Sequence, residues 1–358
     1  MSEGLTEPRK LDHIRIALEE LVDMSGEERW FDGVELLHNP LPDISFDEVD
    51  LTVEFLSHKI SAPILIEGMT GGHEATKRIN EELAKAASEF GVPIGVGSQR
   101  AALEKEELAH TYKIVREIAN NVPVIANLGI SHVIGSNGVD NAKKAVDMIE
   151  ADAIAIHLNP LQEVIQPEGD HDLRDGIVSI RDLVKELDVP VIVKEVGSGI
   201  RPSVAKLLDY FGVYAIDVAG SGGTSWALIE GERASDRSKE RTASQVYKKW
   251  GIPTPAAILS VSEVIERAKL IGSGGVRNGL DAAKCLALGA DMVGAARPFL
   301  KAVVEGKHEG VIYLLNNYSY QLKIAVFLSG ARNIPQFKNM KNYLLLEPLS
   351  SWVRRLLM

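Results

Sequence analysis

The sequence predicts an α/β protein built on a closed TIM-type (β/α)8 barrel, and three observations carry that prediction. Short, continuously apolar runs begin near Pro63, Pro93, Pro123, Ala153, Pro190, Val213, Lys269 and Asp291, a spacing of roughly 30 residues, as buried parallel strands require. Helix-like periodicity fills most of the gaps, and eight alternations of strand and helix close into a barrel more readily than they form an open sheet. The last two runs end in glycine and small residues, GSGGVR at 272–277 and GAAR at 294–297. Two strand ends of that kind offer backbone N–H groups to one phosphate.

The barrel takes residues 63–309. An extension over 1–62 precedes it, with one helix-like piece at 11–22 and a polar strand-like piece at 51–55. Prolines at the strand starts withhold only a donor that needs no ladder partner. After the sixth run, an insertion over 219–268 begins around GSGGTSW, carries the charged stretch GERASDRSKERT and ends in an apolar segment at 255–268. An insertion of this length at the mouth of a barrel reads as a lid or a subunit contact. Residues 310–358 read as a helix and a tail whose apolar parts, 343–346 and 352–358, pack on the barrel or on another copy.

At 358 residues the chain accommodates one barrel with extensions, and 45% hydrophobic with 25% charged residues is the make-up of a soluble globular protein. The net charge of -11 argues against a nucleic-acid surface, so an anionic ligand must be met by locally placed cations. Cys285 is the sole cysteine, which leaves no internal disulfide. The N-terminal residues lack the apolar core of a secretion signal, and no run of about 18 apolar residues occurs, so the expectation is a cytoplasmic protein without a membrane span.

Catalytic side chains of a barrel sit at the carboxyl ends of its strands. Here those ends read EGMTGG (67–72), VGSQR (96–100), ANLG (126–129), HLNPLQE (157–163), KEVGSG (194–199) and DVAGSGGTSW (217–226). Such polarity at buried strand ends calls for partners. It fits a large flat cofactor with a phosphate tail. Gly68, Met69, Thr70 and Gly71 suit one ring face. Ser98, Asn127 and Thr224 suit the ring edge, and Lys194 sets a cation beside an electron-rich ring position, as a reduced flavin needs. Flavin mononucleotide (FMN) has one terminal phosphate, for which Gly275, Val276, Arg277, Ala295 and Ala296 are the candidates.

At this point the chain resembles the type 2, FMN-dependent isopentenyl-diphosphate delta-isomerase family. The matching segments are RKLDH (9–13), MTGG (69–72), SQR (98–100), HLNPLQE, KEVGSG, GGTSW and GSGGVR, spread over residues 9–297. GSGGVR is common among phosphate-binding barrels, whereas HLNPLQE together with RKxxH is specific. Ala219, before GGTSW, stands where serine is favoured, which puts one flavin contact in doubt.

The resemblance implies reversible conversion of isopentenyl diphosphate to dimethylallyl diphosphate: one proton added at the terminal alkene carbon, another removed from the neighbouring methylene, and no net oxidation. It also implies reduced FMN, a nicotinamide donor (NADPH or NADH) and Mg2+. Gln162 then falls beside the reacting carbons, in a positioning or relay role. His157 and Asn159, on one strand face, join it as catalytic candidates, with His157 orienting Gln162 or the substrate. Glu163 is the expected Mg2+ ligand and Glu230 a second acidic candidate. Arg9, Lys10, His13, Ser98, Gln99 and Arg100, with Gln162, would hold the diphosphate substrate. A homo-oligomer, tetramer or octamer, is the expected assembly.

The alternative is an FMN-dependent 2-hydroxy-acid oxidase-like barrel enzyme. That chemistry needs a histidine base beside an arginine between strands six and seven, and no histidine occurs between His171 and His308. A nucleotide dehydrogenase would need a catalytic cysteine in the strand-six loop, but Cys285 falls within a helix-like segment. A non-enzymatic flavin binder would leave the Gln162-Glu163 pair and the Arg9-Lys10 segment without a role.

Overall fold

The computed structural model describes residues 6–19, 22–23 and 29–358, with side chains from residue 12 onward. Eight parallel strands, Ile64–Ile66, Ile94–Gly95, Val124–Gly129, Ala153–Leu158, Val191–Glu195, Ala215–Asp217, Lys269–Gly272 and Met292–Ala295, close into one barrel in chain order. Closure joins the last strand to the first, with Val293 opposite Ile64 and Ala295 opposite Ile66. Each apolar run read from the sequence supplies one strand. Pro63, Pro93, Pro123 and Pro190 give no donor, yet their carbonyls accept from the N–H of Val293, Ile66, Ile94 and Ile154 at 2.9–3.1 Å.

Strand alternation decides what fills the barrel. Leu65, Ile125, Ala155, Ile192, Ala215, Ile271 and Met292 form a buried apolar floor. Two residues further along each strand, the same period brings Glu67, Asn127, His157, Lys194, Asp217, Ser273 and Gly294 one layer nearer the carboxyl ends. From below, the hairpin of Val53–Phe55 and His58–Ile60 plugs the barrel with Phe55, Leu56 and Ile60. Its turn residues Leu56 and Ser57 have φ of 50° and 61°, a strained pair for side-chain-bearing residues. Burial of Leu56, and its N–H donating to Tyr214 Oη at 2.9 Å, offset that strain.

Three helices occupy 219–268: Trp226–Arg233, Lys239–Tyr247 and Thr254–Ser262. Thr254–Ser262 is buried from Thr254 to Val261 and lies directly before strand seven, as an outer barrel helix does. The excursion at the mouth is the part carrying the first two helices. Ser225 and Ser238 start them by accepting from the N–H of Leu228 and Arg241. The extension's helix, Thr6–Leu18, starts earlier than its apolar periodicity suggests, and buries Ile16 against Leu228 and Ile229 of the excursion.

The chain after strand eight is helical over Arg297–Ser329, broken at Lys307, whose φ is 49°. The tail is more ordered than its sequence suggests. Tyr343–Leu345 pairs antiparallel with Val34–Leu36, joining the two ends of the chain, and the helix Leu349–Leu357 buries Leu349 and Val353. Trp352, Leu357 and Met358 remain exposed. Among the described residues no helix is long and apolar enough to cross a membrane.

Candidate active site

The carboxyl ends of the strands open into a cavity of about 420 Å3, within the roughly 300–1,000 Å3 of small-molecule sites. Its deep end is charged. Lys194 Nζ lies 3.3 Å from Asp217 Oδ2 and 3.6 Å from Glu67 Oε2, and donates to Glu195 O at 3.0 Å. Burial opposes the lysine's charge, but these carboxyl groups outweigh it and raise the lysine above its ordinary value. Burial pushes Glu67 up to about 8, with Lys194 opposing and Asp217 adding to the rise. Glu195 turns the other way: its Oε2 accepts from the N–H of Val196 and Gly197 at 2.7 Å and from that of Ser198, while burial still lifts it to about 7.

Elsewhere in this layer, Asn127 Nδ2 donates to Val96 O at 3.0 Å, so Asn127 Oδ1 accepts from His157 Nδ1 at 2.8 Å. That assigns the proton of a neutral imidazole to Nδ1.

The opposite wall is a polar cluster on the helix Pro160–Ile165. Pro160 begins that helix where no N–H donor is needed. Gln162 and Glu163 follow on its first turns, both buried and both lining the cavity. Gln162 Nε2 donates to Glu230 Oε1 at 2.8 Å, and Gln162 Oε1 accepts from Asn159 Nδ2 at 3.2 Å. Glu163 Oε1 accepts from Asn159 Nδ2 at 2.8 Å and Oε2 from the Asp170 N–H at 2.7 Å. Among the described residues, Asn159 Oδ1 is buried without a hydrogen-bond partner. Glu230 Oε1 is also 3.0 Å from His13 Nε2, and Oε2 pairs with Arg233, which holds Glu168 at 2.7 Å with its other arm. Burial works against the Glu230 charge, yet His13, Arg233 and the Gln162 amide overcome it and hold the carboxyl down at about 2. His13 meets Trp226 edge-on, with ring centroids 5.3 Å apart.

The third part of the cavity is the loop pair after strands seven and eight. Gly274 and Gly275 have φ of 101° and 82°, and a Cβ on Gly275 would stand 2.4 Å from Gly222 O. The N–H groups of Gly275 and Ala296 find no acceptor among the described residues. Arg277 and Arg297 flank the loops and meet at Asp23, 2.5 and 2.7 Å from its two oxygens. A buried cation at one end, amide groups along the side and paired glycine-rich loops with free N–H groups at the other fit a flat ring carrying one phosphate.

Most residues singled out in the sequence meet in this cavity. Gly68, Met69 and Thr70 line it, as do Ser98, Arg100, Asn127, Lys194 and Thr224; so do Gly275, Val276, Arg277, Ala295 and Ala296 of the two loops. His13, His157, Asn159, Gln162 and Glu163 line the remainder. Two residues are placed elsewhere. Gly71 is not among the lining residues: with φ of 142°, a Cβ there would stand 1.9 Å from the Tyr112 ring, so this glycine permits packing behind the loop. Gln99 is completely buried, with Nε2 donating to Ala145 O at 2.8 Å and Oε1 accepting from the Asn127 N–H at 2.9 Å. It ties strand three to an outer helix and does not reach a substrate.

Two roles also change. His157 is bound to Asn127, and Gln162 is oriented instead by Asn159 and Glu230. Glu230 is paired with Arg233 and His13 besides the Gln162 amide, whereas among the described residues Glu163 accepts only from the neutral Asn159 amide and the Asp170 N–H, which leaves Glu163 the better metal candidate. Among the described residues no three histidine, cysteine or acidic side chains cluster to hold a metal. The side chains of Arg9 and Lys10 lie outside the described residues. Glu67, Asp217 and Ser273 were reachable from the sequence by counting two residues on from the apolar floor. Arg233 and Asp23 carried no such signal.

With this geometry in place, the chain can be set beside known proteins. The family profile described as FMN-dependent dehydrogenase matches residues 159–342. The isopentenyl-diphosphate delta-isomerase of Ignicoccus hospitalis is 43% identical over 349 residues, 97% of this chain and 96% of that protein. The protein of the same name from Pseudescherichia vulneris is 44% identical over 330 residues, covering 92% of this chain and 94% of that one. Among solved structures, a flavocytochrome b2 variant with sulfite bound superposes with a TM-score of 0.68 at 17% identity, covering 96% of this chain and 84% of that one. A mandelate oxidase with (S)-2-phenylpropionate gives 0.64 at 17% identity, covering 94% and 96%. At that identity these two structures speak for the fold alone.

Proposed function

Because the chain belongs to the isopentenyl-diphosphate delta-isomerase family, we propose that it interconverts isopentenyl diphosphate and dimethylallyl diphosphate, with reduced FMN in the barrel mouth. The observation that carries this reading is the buried amide of Gln162, fixed between Asn159 and Glu230 on one wall of a cavity whose far end is lined by the loops after strands seven and eight. A 2-hydroxy-acid oxidase has no use for such an amide, and the histidine base it needs is missing from the strand-six to strand-seven region.

When bound and reduced, the flavin supplies an electron-rich face and an exchangeable proton to an alkene that is a very weak base. The chain would hold it by Gly68, Met69, Thr70, Ser98, Asn127 and Thr224 along the ring, by Lys194 at the ring edge, and by Gly275, Val276, Arg277, Ala295 and Ala296 at the phosphate. Gln162 would present its amide to the reacting carbons in one orientation: its carbonyl accepts from Asn159 and its NH2 donates to a carboxylate that stays ionised at neutral pH. It positions or relays, since an amide is a poor proton carrier. His157 and Asn159 are supports in the same wall. Glu163 would hold Mg2+, which would supply positive charge to the diphosphate. Arg9, Lys10, His13, Ser98 and Arg100 would hold the diphosphate, and NADPH or NADH would reduce the flavin. A soluble, cytoplasmic homo-oligomer, tetramer or octamer, completes the proposal.

The test is direct. Flavin-loaded, reduced protein is incubated with isopentenyl diphosphate and Mg2+, and the product is followed by proton NMR. Dimethylallyl diphosphate should form without net flavin oxidation, and Gln162→Ala should abolish it while leaving the flavin bound. Oxygen consumption with a 2-hydroxy acid and no isomerisation would favour the oxidase.

A further inference from the structure

Three ionisable side chains share the buried layer beneath the site: Glu67 from strand one, Lys194 from strand five and Asp217 from strand six. Glu67 and Asp217 are 6% and 1% exposed. One lysine faces two carboxyl groups, so with all three ionised the layer would carry a net buried negative charge, which is costly without a further cation. The donors are unequally shared. Asp217 Oδ1 accepts from Ser273 Oγ at 2.6 Å and from the Ala219 N–H at 3.2 Å. Among the described residues Glu67 Oε1 has no hydrogen-bond partner, and Asp217 Oδ2 has only the Lys194 ammonium at 3.3 Å beside it. Below lie only apolar side chains, Leu65, Ile125, Ala155, Ile192 and Ile271. Glu195 is turned onto its own loop N–H groups and His157 is held by Asn127, so the titratable groups facing Glu67 are Lys194 and Asp217. The space for Glu67 is made by Gly294, where a Cβ would stand 2.2 Å from Glu67 Oε1.

We propose that Glu67 is a positioning residue that carries a proton at neutral pH while Asp217 stays ionised, so that the layer is neutral and Lys194 offers the cofactor a cation balanced by one carboxylate. The inference rests on the proposed function in one respect, the flavin ring lying against Lys194. The proton belongs on Glu67 because Asp217 has the two donors that stabilise an ionised acid. Burial, the largest influence on Glu67, acts in the same direction.

The test begins with infrared spectra of the cofactor-free protein. At about pH 6 the wild type should show the carbonyl stretch of an un-ionised carboxylic acid, sensitive to D2O, and lose it as pH rises past about 8. The component lost past about 8 should vanish in Glu67→Gln, leaving the one that Glu195 loses near 7; isotopic labelling of glutamate carboxyl carbons in the wild type should shift it, which serves if the variant does not fold. In the flavin-loaded protein, Glu67→Gln should leave the reduction potential unchanged at low pH. Above the Glu67 transition, the wild-type potential should fall with pH up to twofold more steeply than that of the variant. No carbonyl component lost past about 8, one that moves with aspartate labelling, or a Glu67→Gln potential already shifted at low pH would overturn the proposal. The infrared arm uses neither flavin nor substrate, so its failure is separable from a failure of the isomerase reading.

Discussion

Replacing Glu230 by glutamine keeps the volume of a completely buried side chain and removes its charge. In the wild type, Glu230 accepts from Gln162 Nε2 at 2.8 Å, lies 3.0 Å from His13 and pairs with Arg233. Folding lowers this carboxyl from an ordinary 4.5 to about 2. At about 1.4 kcal/mol per pH unit, the ionised form contributes on the order of 3 kcal/mol. A depressed acid stabilises the fold above its unfolded value, so the contribution is complete above about pH 5 and is lost as pH falls towards 2. Arg233 keeps Glu168 as a partner, which makes that figure an upper one. Chemical unfolding of Glu230→Gln should show a loss of roughly 2–3 kcal/mol at neutral pH, shrinking to less than half near pH 3. Turnover should drop about 100-fold, with flavin content unchanged, because an amide at 230 can present its NH2 as readily as its carbonyl and no longer fixes which way Gln162 points. A stability difference independent of pH, or full turnover in the variant, would refute the reasoning.

Other perturbations separate the parts of the site. Gly275→Ala forces a side chain into a backbone with φ of 82° and against Gly222 O; flavin affinity should fall at least about tenfold, as read by fluorescence titration. Glu163→Gln should raise the Mg2+ concentration giving half-maximal turnover by roughly 100-fold, measured in an activity titration, with flavin retained. Gln99→Ala should cost about 1–3 kcal/mol by leaving the Asn127 N–H and the Ala145 carbonyl without partners, while the substrate KM stays at the wild-type value; a raised KM would return Gln99 to the substrate site.

The barrel was legible because burial on both faces leaves continuous apolar runs, and eight of them were present. The site was legible where chemistry sits in a compact motif, as in HLNPLQE. It failed where direction matters. Gln99 lies between Ser98 and Arg100, which both reach the cavity, and the chain turns its amide to the opposite side. Gly71 resembles its neighbours but makes room for Tyr112, which comes from a later helix. The pairing of Glu230 with Gln162 spans 68 residues, so no local pattern announces it. Likewise the tail's strand is defined by Val34–Leu36 at the other end of the chain.

The central claim is proton addition and removal at a five-carbon prenyl diphosphate without net redox change. Its most direct test is deuterium uptake: protein loaded with FMN, chemically reduced and given isopentenyl diphosphate in D2O. Deuterium should enter the methyl group of dimethylallyl diphosphate while the flavin spectrum stays that of the reduced form. Substrate recovered without deuterium, or reoxidation of the flavin in proportion to product, would contradict it.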